Sequence, residues 1–211
     1  MNAAGESYLR WYYDEAAVWK RLSYRGVRTL KNPLDMWNYQ EIIAEHGIEW
    51  VVETGTRHGG SALFFADLLA ASSASGFVIS VDIDHASLQI GPHPRLKLLR
   101  GDSAAPETVS AVTALLPAQR APMFLILDSD HRKPHVLREL EAYVPLLRRG
   151  DYLVVEDGVV NGHPVRPDFG PGPMEAVDEF LSGNPDLLTA DTAREEKFGC
   201  TFAPKGYYRK K

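Results

Sequence analysis

Five short apolar runs, Trp50 to Glu53, Phe77 to Asp82, Leu96 to Leu99, Met123 to Leu127 and Tyr152 to Val155, alternate along the chain with segments of helical periodicity. Each run is nearly continuous in Val, Ile, Leu or Phe instead of alternating apolar with polar, which is the pattern of a strand covered on both faces. Covering both faces takes helices on either side, so the repeat predicts βαβ units in an α/β fold with a doubly wound, mostly parallel sheet. Helices are expected at about Ser61 to Ala71, Ala105 to Leu116, Pro134 to Leu147 and Met174 to Leu181. Pro106 and Pro134 then fall in first turns, where a missing N–H costs nothing. Ala70 to Gly76 reads as a small-residue loop. Asn161 to Pro173, with three glycines and four prolines, is a long loop of the kind that forms substrate lids. The tail from Gly199 to Tyr208 reads as strand, bend at Pro204-Lys-Gly206 and further strand, pairing antiparallel with Leu187 to Thr189.

The turn that leaves the first strand, Glu53-Thr-Gly-Thr-Arg-His-Gly-Gly-Ser61, is spaced more widely than the Gly-x-Gly-x-x-Gly of dinucleotide sites. There, closely set glycines let the backbone approach a pyrophosphate at a helix N-terminus. A wider loop with a carboxylate on its strand side suits a ligand that carries an ammonium and no phosphate, which describes S-adenosylmethionine better than NAD. Glu53, Gly55, Thr56, Gly59 and Ser61 are its candidate contacts, and an ordinary glycine-rich turn is the plain alternative.

In an open parallel sheet ligands bind beyond the carboxyl ends of the strands, so the polar residues that end each run carry the functional information. Those residues are Glu53, then Asp82 and Asp84, Asp102 and Ser103, Asp128 and Asp130, and Glu156 and Asp157. Any one of them could be a helix cap or a solvated terminus; five acidic ends in succession are harder to dismiss. Asp82 is placed to accept hydrogen bonds from ribose hydroxyls, and Asp102 and Ser103 to meet an adenine edge. Asp128, Glu156 and Asp157 belong to neighbouring strand ends, where three carboxylates repel unless a cation neutralises them. An oxygen-only set with room for water favours magnesium, with manganese or calcium as alternatives. The competing arrangement is an exposed network pairing Asp130 or Glu156 with Arg132 or Lys133.

His131, three residues past Asp128, is the candidate base, because an ordinary imidazole pKa of about 6.5 suits proton removal at neutral pH. His135 lies one helical turn further on and could line the helix instead. His58 would shape the glycine turn, and His163 is a candidate for meeting substrate.

A net charge of −5 excludes a global basic surface for nucleic acid, and no apolar run reaches the length of a membrane span. One cysteine, Cys200, rules out an intrachain disulfide and a cysteine-based zinc cluster; it reads as a small core residue. The start of the chain lacks the basic and apolar regions of a signal peptide, so a cytoplasmic location is the expectation. Residues 6 to 47 hold three of the four tryptophans and five of the nine tyrosines. Aromatics so dense predict a helical cap and oligomerisation segment over residues 1–47, ahead of a cofactor-binding domain at 48–211, and a homo-oligomer of two or more chains. Asn32-Pro33-Leu-Asp35 marks a helix start within that segment.

Several of these stretches together resemble a known family. They are Lys31-Asn-Pro-Leu-Asp-Met-Trp-Asn-Tyr-Gln-Glu41, Glu53 to Ser61, Val81-Asp-Ile-Asp84, Gly101-Asp-Ser103, Leu127-Asp-Ser-Asp-His131, Val155-Glu-Asp157 and Gly170-Pro-Gly-Pro173. As an ordered set covering most of the chain, they resemble the cephalosporin hydroxylase family, most of whose members are S-adenosylmethionine-dependent O-methyltransferases related to rhamnosyl O-methyltransferases. The resemblance implies a Rossmann-like class I methyltransferase sheet of seven strands, the last antiparallel, with a magnesium site. The layout is also similar to catechol-type O-methyltransferases, whose metal is held by an acid after the fourth strand and a polar pair after the fifth. Those positions fall on Asp128, Glu156 and Asp157 here. The catechol-type base is a lysine three residues past the first ligand, and His131 stands in its place.

The sequence therefore reads as an S-adenosylmethionine- and magnesium-dependent O-methyltransferase. Its expected acceptor is a small hydroxylated molecule, a sugar or an antibiotic or other natural-product scaffold. Glu53, Gly55, Thr56, Gly59, Ser61, Asp82, Asp102, Ser103 and Asp128 would bind the cofactor. Asp128, Glu156 and Asp157 would hold the ion, and His131 would act as base. The rivals are a hydroxylase or another enzyme using the same nucleoside site, and a non-catalytic accessory subunit.

Overall fold

The computed structural model describes residues 2–72 and 75–211. The N-terminal segment opens with helix α1 (Ala3–Leu9), a widened turn over Arg10–Glu15 and a short helical turn over Val18–Arg21. It then makes a small antiparallel hairpin, β1 (Ser23–Tyr24) and β2 (Val27–Arg28), before α2 (Pro33–Glu45). The hairpin is absent from the helical cap expected of this segment. Arg25 and Gly26 both take positive φ, 50° and 83°, the conformation that a two-residue turn between strands needs. Asn32 caps α2 as anticipated, its side chain accepting the Leu34 N–H at 3.1 Å.

Alternating strands and helices follow: β3 (Trp50–Thr54), α3 (Gly60–Ala71), β4 (Val78–Asp82), β5 (Leu96–Arg100), α4 (Pro106–Leu115), β6 (Met123–Leu127), α5 (Lys133–Tyr143), β7 (Tyr152–Val155) and α6 (Pro173–Gly183). The chain finishes with β8 (Leu188–Ala190), α7 (Thr192–Glu196) and β9 (Tyr207–Lys210). Among the described residues seven strands form one sheet in the order β5-β4-β3-β6-β7-β9-β8, parallel except where β9 pairs with β7 and β8.

Burial explains why the strand runs are continuously apolar. Met123, Leu125 and Leu127 of β6 pack on one face beneath α4, α5 and α6, while Phe124 and Ile126 pack on the other beneath α2 and α3. Leu9, Tyr12 and Tyr13 of the N-terminal segment join Val159, Val160, Val165, Cys200 and Phe202 in a third cluster. Tyr8 and Trp11 remain 40% and 48% exposed.

Two boundaries differ from expectation. Pro145 converts the end of the predicted Pro134–Leu147 helix into a tighter turn over Val144–Leu146, because it cannot donate to the α ladder. Helix α3 ends at Ala71, where the helical pattern from Ser61 was expected to end, and residues 73 and 74 of the loop expected over Ala70 to Gly76 lie outside the described residues. The first strand of the tail does not form. The buried Asp35 carboxylate takes the Phe202 N–H at 2.7 Å and the Thr201 hydroxyl at 2.6 Å, so groups that could have joined a ladder are satisfied by a side chain.

Candidate active site

The chain runs outward from β3 in both directions, toward β4 and β5 on one side and β6 and β7 on the other. The carboxyl ends of β3 and β6 therefore meet at a topological switch point, the place where an open α/β sheet leaves a crevice. Gly55 makes that crevice possible. At φ +91° a Cβ on this residue would stand 1.9 Å from the Asp128 carbonyl oxygen. Gly55→Ala is expected to lower stability by at least about 1–3 kcal/mol, the cost of a strained positive-φ side chain, read as a melting temperature several degrees lower. The crevice opens into a cavity of about 690 Å³, within the range of about 300–1,000 Å³ typical of small-molecule sites.

At the floor, Asp128 and Asp157 converge with His131, each offering a ligand atom within 4.8 Å of the others. The His131 Nε2 lies 3.2 Å from Asp157 Oδ2. Asp157 Oδ1 is buried without a hydrogen-bond partner, an orphan acceptor that a cation would satisfy. Asp157 also adopts φ 55°, so the turn after β7 holds its carboxylate in place by a conformation few non-glycine residues take. These donors fit a hard divalent ion. Burial raises the Asp128 carboxyl above its ordinary range against the lowering pull of Lys31, and it raises that of Asp157 against the pull of His131.

Glu156 is placed differently from its two expected partners. It is 1% exposed, and its Oε1 accepts from the Lys31 ammonium at 2.8 Å and the Tyr39 hydroxyl at 2.7 Å. The same ammonium lies 2.5 Å from Asp128 Oδ2. Burial opposes charge on Lys31, but Asp128 and Glu156 outweigh it and hold the ammonium above its ordinary pKa. The exposed network envisaged as an alternative exists only in part: Asp130 pairs with Arg132, while Lys133 reaches Glu179.

On the opposite side of the cavity, Asp82 Oδ2 accepts the Arg57 N–H at 2.6 Å, and the adjoining Ile83 is 65% exposed beside it. Asp102 and Ser103 border the same region. The Ser103 hydroxyl donates to the buried Glu139 at 2.5 Å and lies 3.1 Å from His135 Nε2. His135 Nδ1 is 3.0 Å from an Arg138 nitrogen, so both ring nitrogens are engaged on the Asp102 side of the cavity. A hydrogen bond to Glu139 raises its pKa.

Gly55, Thr56 and Ser61 line the cavity, whereas Glu53 and Gly59 do not. Glu53 is fully buried, accepting the Ser80 hydroxyl at 2.8 Å, and that hydroxyl meets Thr56 Oγ1 at 2.7 Å. It braces the glycine turn from beneath instead of facing a ligand. Gly59 turns away, toward the Leu88 and Ile90 side chains.

The remaining wall comes from the N-terminal segment, the 161–173 loop and the tail. Tyr13 and Trp19 stack with centroids 5.1 Å apart, Phe202 packs edge-on against Tyr13 at 5.2 Å, and Phe169 borders the same cavity. Arg28 and Arg166 add two guanidinium groups to this wall. His163 is not part of it, since its Nε2 pairs with Glu175 at 2.8 Å and anchors the loop to α6. His58 contacts the Ser87 carbonyl oxygen at 3.0 Å and shapes its turn.

A sequence profile described as Rhamnosyl O-methyltransferase/CmcI matches residues 16–211. The chain belongs to this family. A rhamnosyl O-methyltransferase of Mycobacterium leprae (strain TN) is 42% identical over 211 residues, spanning 100% of this chain and 92% of that protein. One from Mycobacterium tuberculosis (strain ATCC 25618 / H37Rv) is 41% identical over 208 residues, spanning 98% and 84%. A structure of CmcI with magnesium and S-adenosylmethionine superimposes with a TM-score of 0.73 at 24% identity, covering 91% of this chain and 77% of that one. The class I methyltransferase sheet expected from the resemblance is thus the fold observed.

Within this family member, Lys31 and Tyr39 have no role legible in the sequence, although both lie in the stretch from Lys31 to Glu41 that carries the resemblance. Their signal was positional only. A lysine just ahead of a well-capped helix is ordinary until the fold brings it to acids about a hundred residues away. Ile83 and Glu139 were missed as well, the first because an apolar residue at a strand end carries no chemistry, the second because it sits inside a helical pattern.

Proposed function

We propose that this chain transfers a methyl group from S-adenosylmethionine to a hydroxyl of a small molecule in a magnesium-dependent reaction, with a sugar hydroxyl as the favoured acceptor. The convergence of Asp128, His131 and Asp157 at the floor of a nucleoside-sized cavity carries this reading. It is supported by relatives named rhamnosyl O-methyltransferases and by a CmcI structure holding magnesium and S-adenosylmethionine. Asp82 would accept from the ribose hydroxyls, Ile83 would cover one face of the adenine ring, and Asp102 and Ser103 would meet its edge; all four line the cavity. The acceptor would pack against Trp19 and Phe169, the half-buried members of the aromatic wall.

Asp128 and Asp157 would hold the ion, with Glu156 completing the set. When bound, a divalent cation lowers the pKa of a coordinated hydroxyl and fixes its lone pair. His131 takes the hydroxyl proton as the acceptor oxygen bonds to the methyl carbon and the sulfonium leaves as a neutral thioether. Its Nε2–H donated to Asp157 leaves Nδ1 as the basic nitrogen. A second reading, favoured by the short distances within the cluster, makes His131 a ligand. Asp128, His131 and Asp157 would then be the ion's protein donors.

Calorimetry with S-adenosylhomocysteine, followed by a methyl-transfer assay on a panel of hydroxylated acceptors with and without magnesium, tests the proposal. Asp82→Ala is expected to weaken cofactor binding by about 1.5–3 kcal/mol, the worth of hydrogen bonds to a charged group. Binding of NAD with no binding of the adenosyl ligand would overturn it.

A further inference from the structure

Lys31 is held too firmly for a surface lysine. Asn32 fixes the start of α2 immediately after it, and the residues before it are pressed onto the start of α3. A Cβ on Gly60 would lie 2.0 Å from Thr29 Oγ1 and 2.4 Å from the Arg28 carbonyl oxygen. The side chain is 3% exposed yet borders the cavity. Its ammonium spans Asp128 and Glu156, two of the three carboxylates gathered at the strand ends, and Tyr39 adds a second donor to the same Glu156 oxygen. One acid of the expected ligand set is therefore satisfied by the chain itself. Three carboxylates and one ammonium carry a formal charge of minus two, which a divalent ion balances.

We propose that Lys31 is a tethered internal cation that competes with the divalent ion for Asp128 and Glu156. It is a positioning residue: it keeps the acids assembled when no ion is bound and lowers the affinity of the ion that replaces it. The physical basis is repulsion between an ammonium and a divalent cation drawing on the same carboxylate oxygens in a cleft where solvent screens poorly. An ion that takes up Glu156 must draw its oxygen away from the ammonium, and one that stays on Asp128 and Asp157 still feels the positive charge beside it. Either way removal of the charge strengthens ion binding. A lysine with a merely structural role would have the opposite signature, because losing it would loosen the acids and leave ion affinity unchanged or weaker. The inference rests on the reading that the site takes a divalent ion, and the experiment separates the two.

Magnesium and manganese would be titrated calorimetrically into wild type, Lys31→Met and Lys31→Gln, each saturated with S-adenosylhomocysteine. Both variants are expected to bind the ion at least about tenfold more tightly. Without ion they should melt at lower temperature than wild type, and saturating ion should restore the loss. Binding by wild type with no tightening in either folded variant would overturn the role of Lys31 alone. No ion binding by any of the three would overturn the metal site itself. Should neither variant fold, wild type reports directly through ¹⁵N-labelled lysine. The protected Nζ signal of Lys31 is expected to shift with the midpoint of the magnesium titration, and a signal unmoved at saturation would refute the competition.

Discussion

Asp128→Ala is expected to cut turnover on the order of 10³-fold, since the metal's share of transition-state stabilisation amounts to several kcal/mol and each 1.4 kcal/mol is a factor of ten. Asp128 is the carboxylate shared by every arrangement the site can adopt. It belongs to the cluster with His131 and Asp157, and it also contacts the Lys31 ammonium at 2.5 Å. Its removal should weaken magnesium binding in proportion, with part of the activity returning at high magnesium because Asp157 and Glu156 remain. The fold should survive. Glu156 still pairs with Lys31, and the main chain of residue 128 keeps its N–H bond to the Thr54 carbonyl oxygen. Cofactor affinity and melting temperature are the controls, and full activity of the variant in excess chelator would sink the metal assignment.

The strands were legible because a chain segment covered on both faces must be apolar throughout, and Met123 to Leu127 is so with alternate residues serving opposite faces. That same feature hides which way a polar residue within such a run points. Glu53, expected to end the strand, is the last residue but one of β3; with all five strand residues buried no periodicity distinguishes the cavity side from the helix side, and it faces inward. Asp82, Asp102, Asp128 and Asp157 were readable because they follow the last strand residue or nearly so, where direction matters less than position. Contacts set by the tertiary fold were not readable. Lys31 and Tyr39 reach Glu156 from a helix start and its second turn, and Asp35 on the same helix binds Thr201, Phe202 and Tyr207 of the tail. Three partners arriving from the far end of the chain leave no local mark, and they are also why the tail lacks its first strand.

His131→Ala should lower the rate by about 10²–10⁴-fold, the usual contribution of a positioned general base, while cofactor affinity and ion affinity stay near wild type. The side chain lies in the turn before α5, 28% exposed at the cavity floor, with Asp157 3.2 Å from Nε2 to fix the ring. Its deficit should shrink as pH rises, because an acceptor hydroxyl already acidified at the site ionises without help once solvent hydroxide is abundant. Wild type and variant profiles would therefore converge at alkaline pH. The same variant separates the two readings of this residue. A base is lost with metal affinity intact, whereas a ligand is lost together with metal affinity, and the deficit then yields to added magnesium instead of to pH. His135 does not offer a replacement. Its nitrogens are committed to Ser103 and Arg138 beside Asp102, where the proposed adenine edge would lie, so His135→Ala should disturb cofactor binding first. A His131→Ala enzyme with an unchanged rate at neutral pH would remove the histidine mechanism, and the proton would then have to leave through a group outside the Asp128–His131–Asp157 cluster.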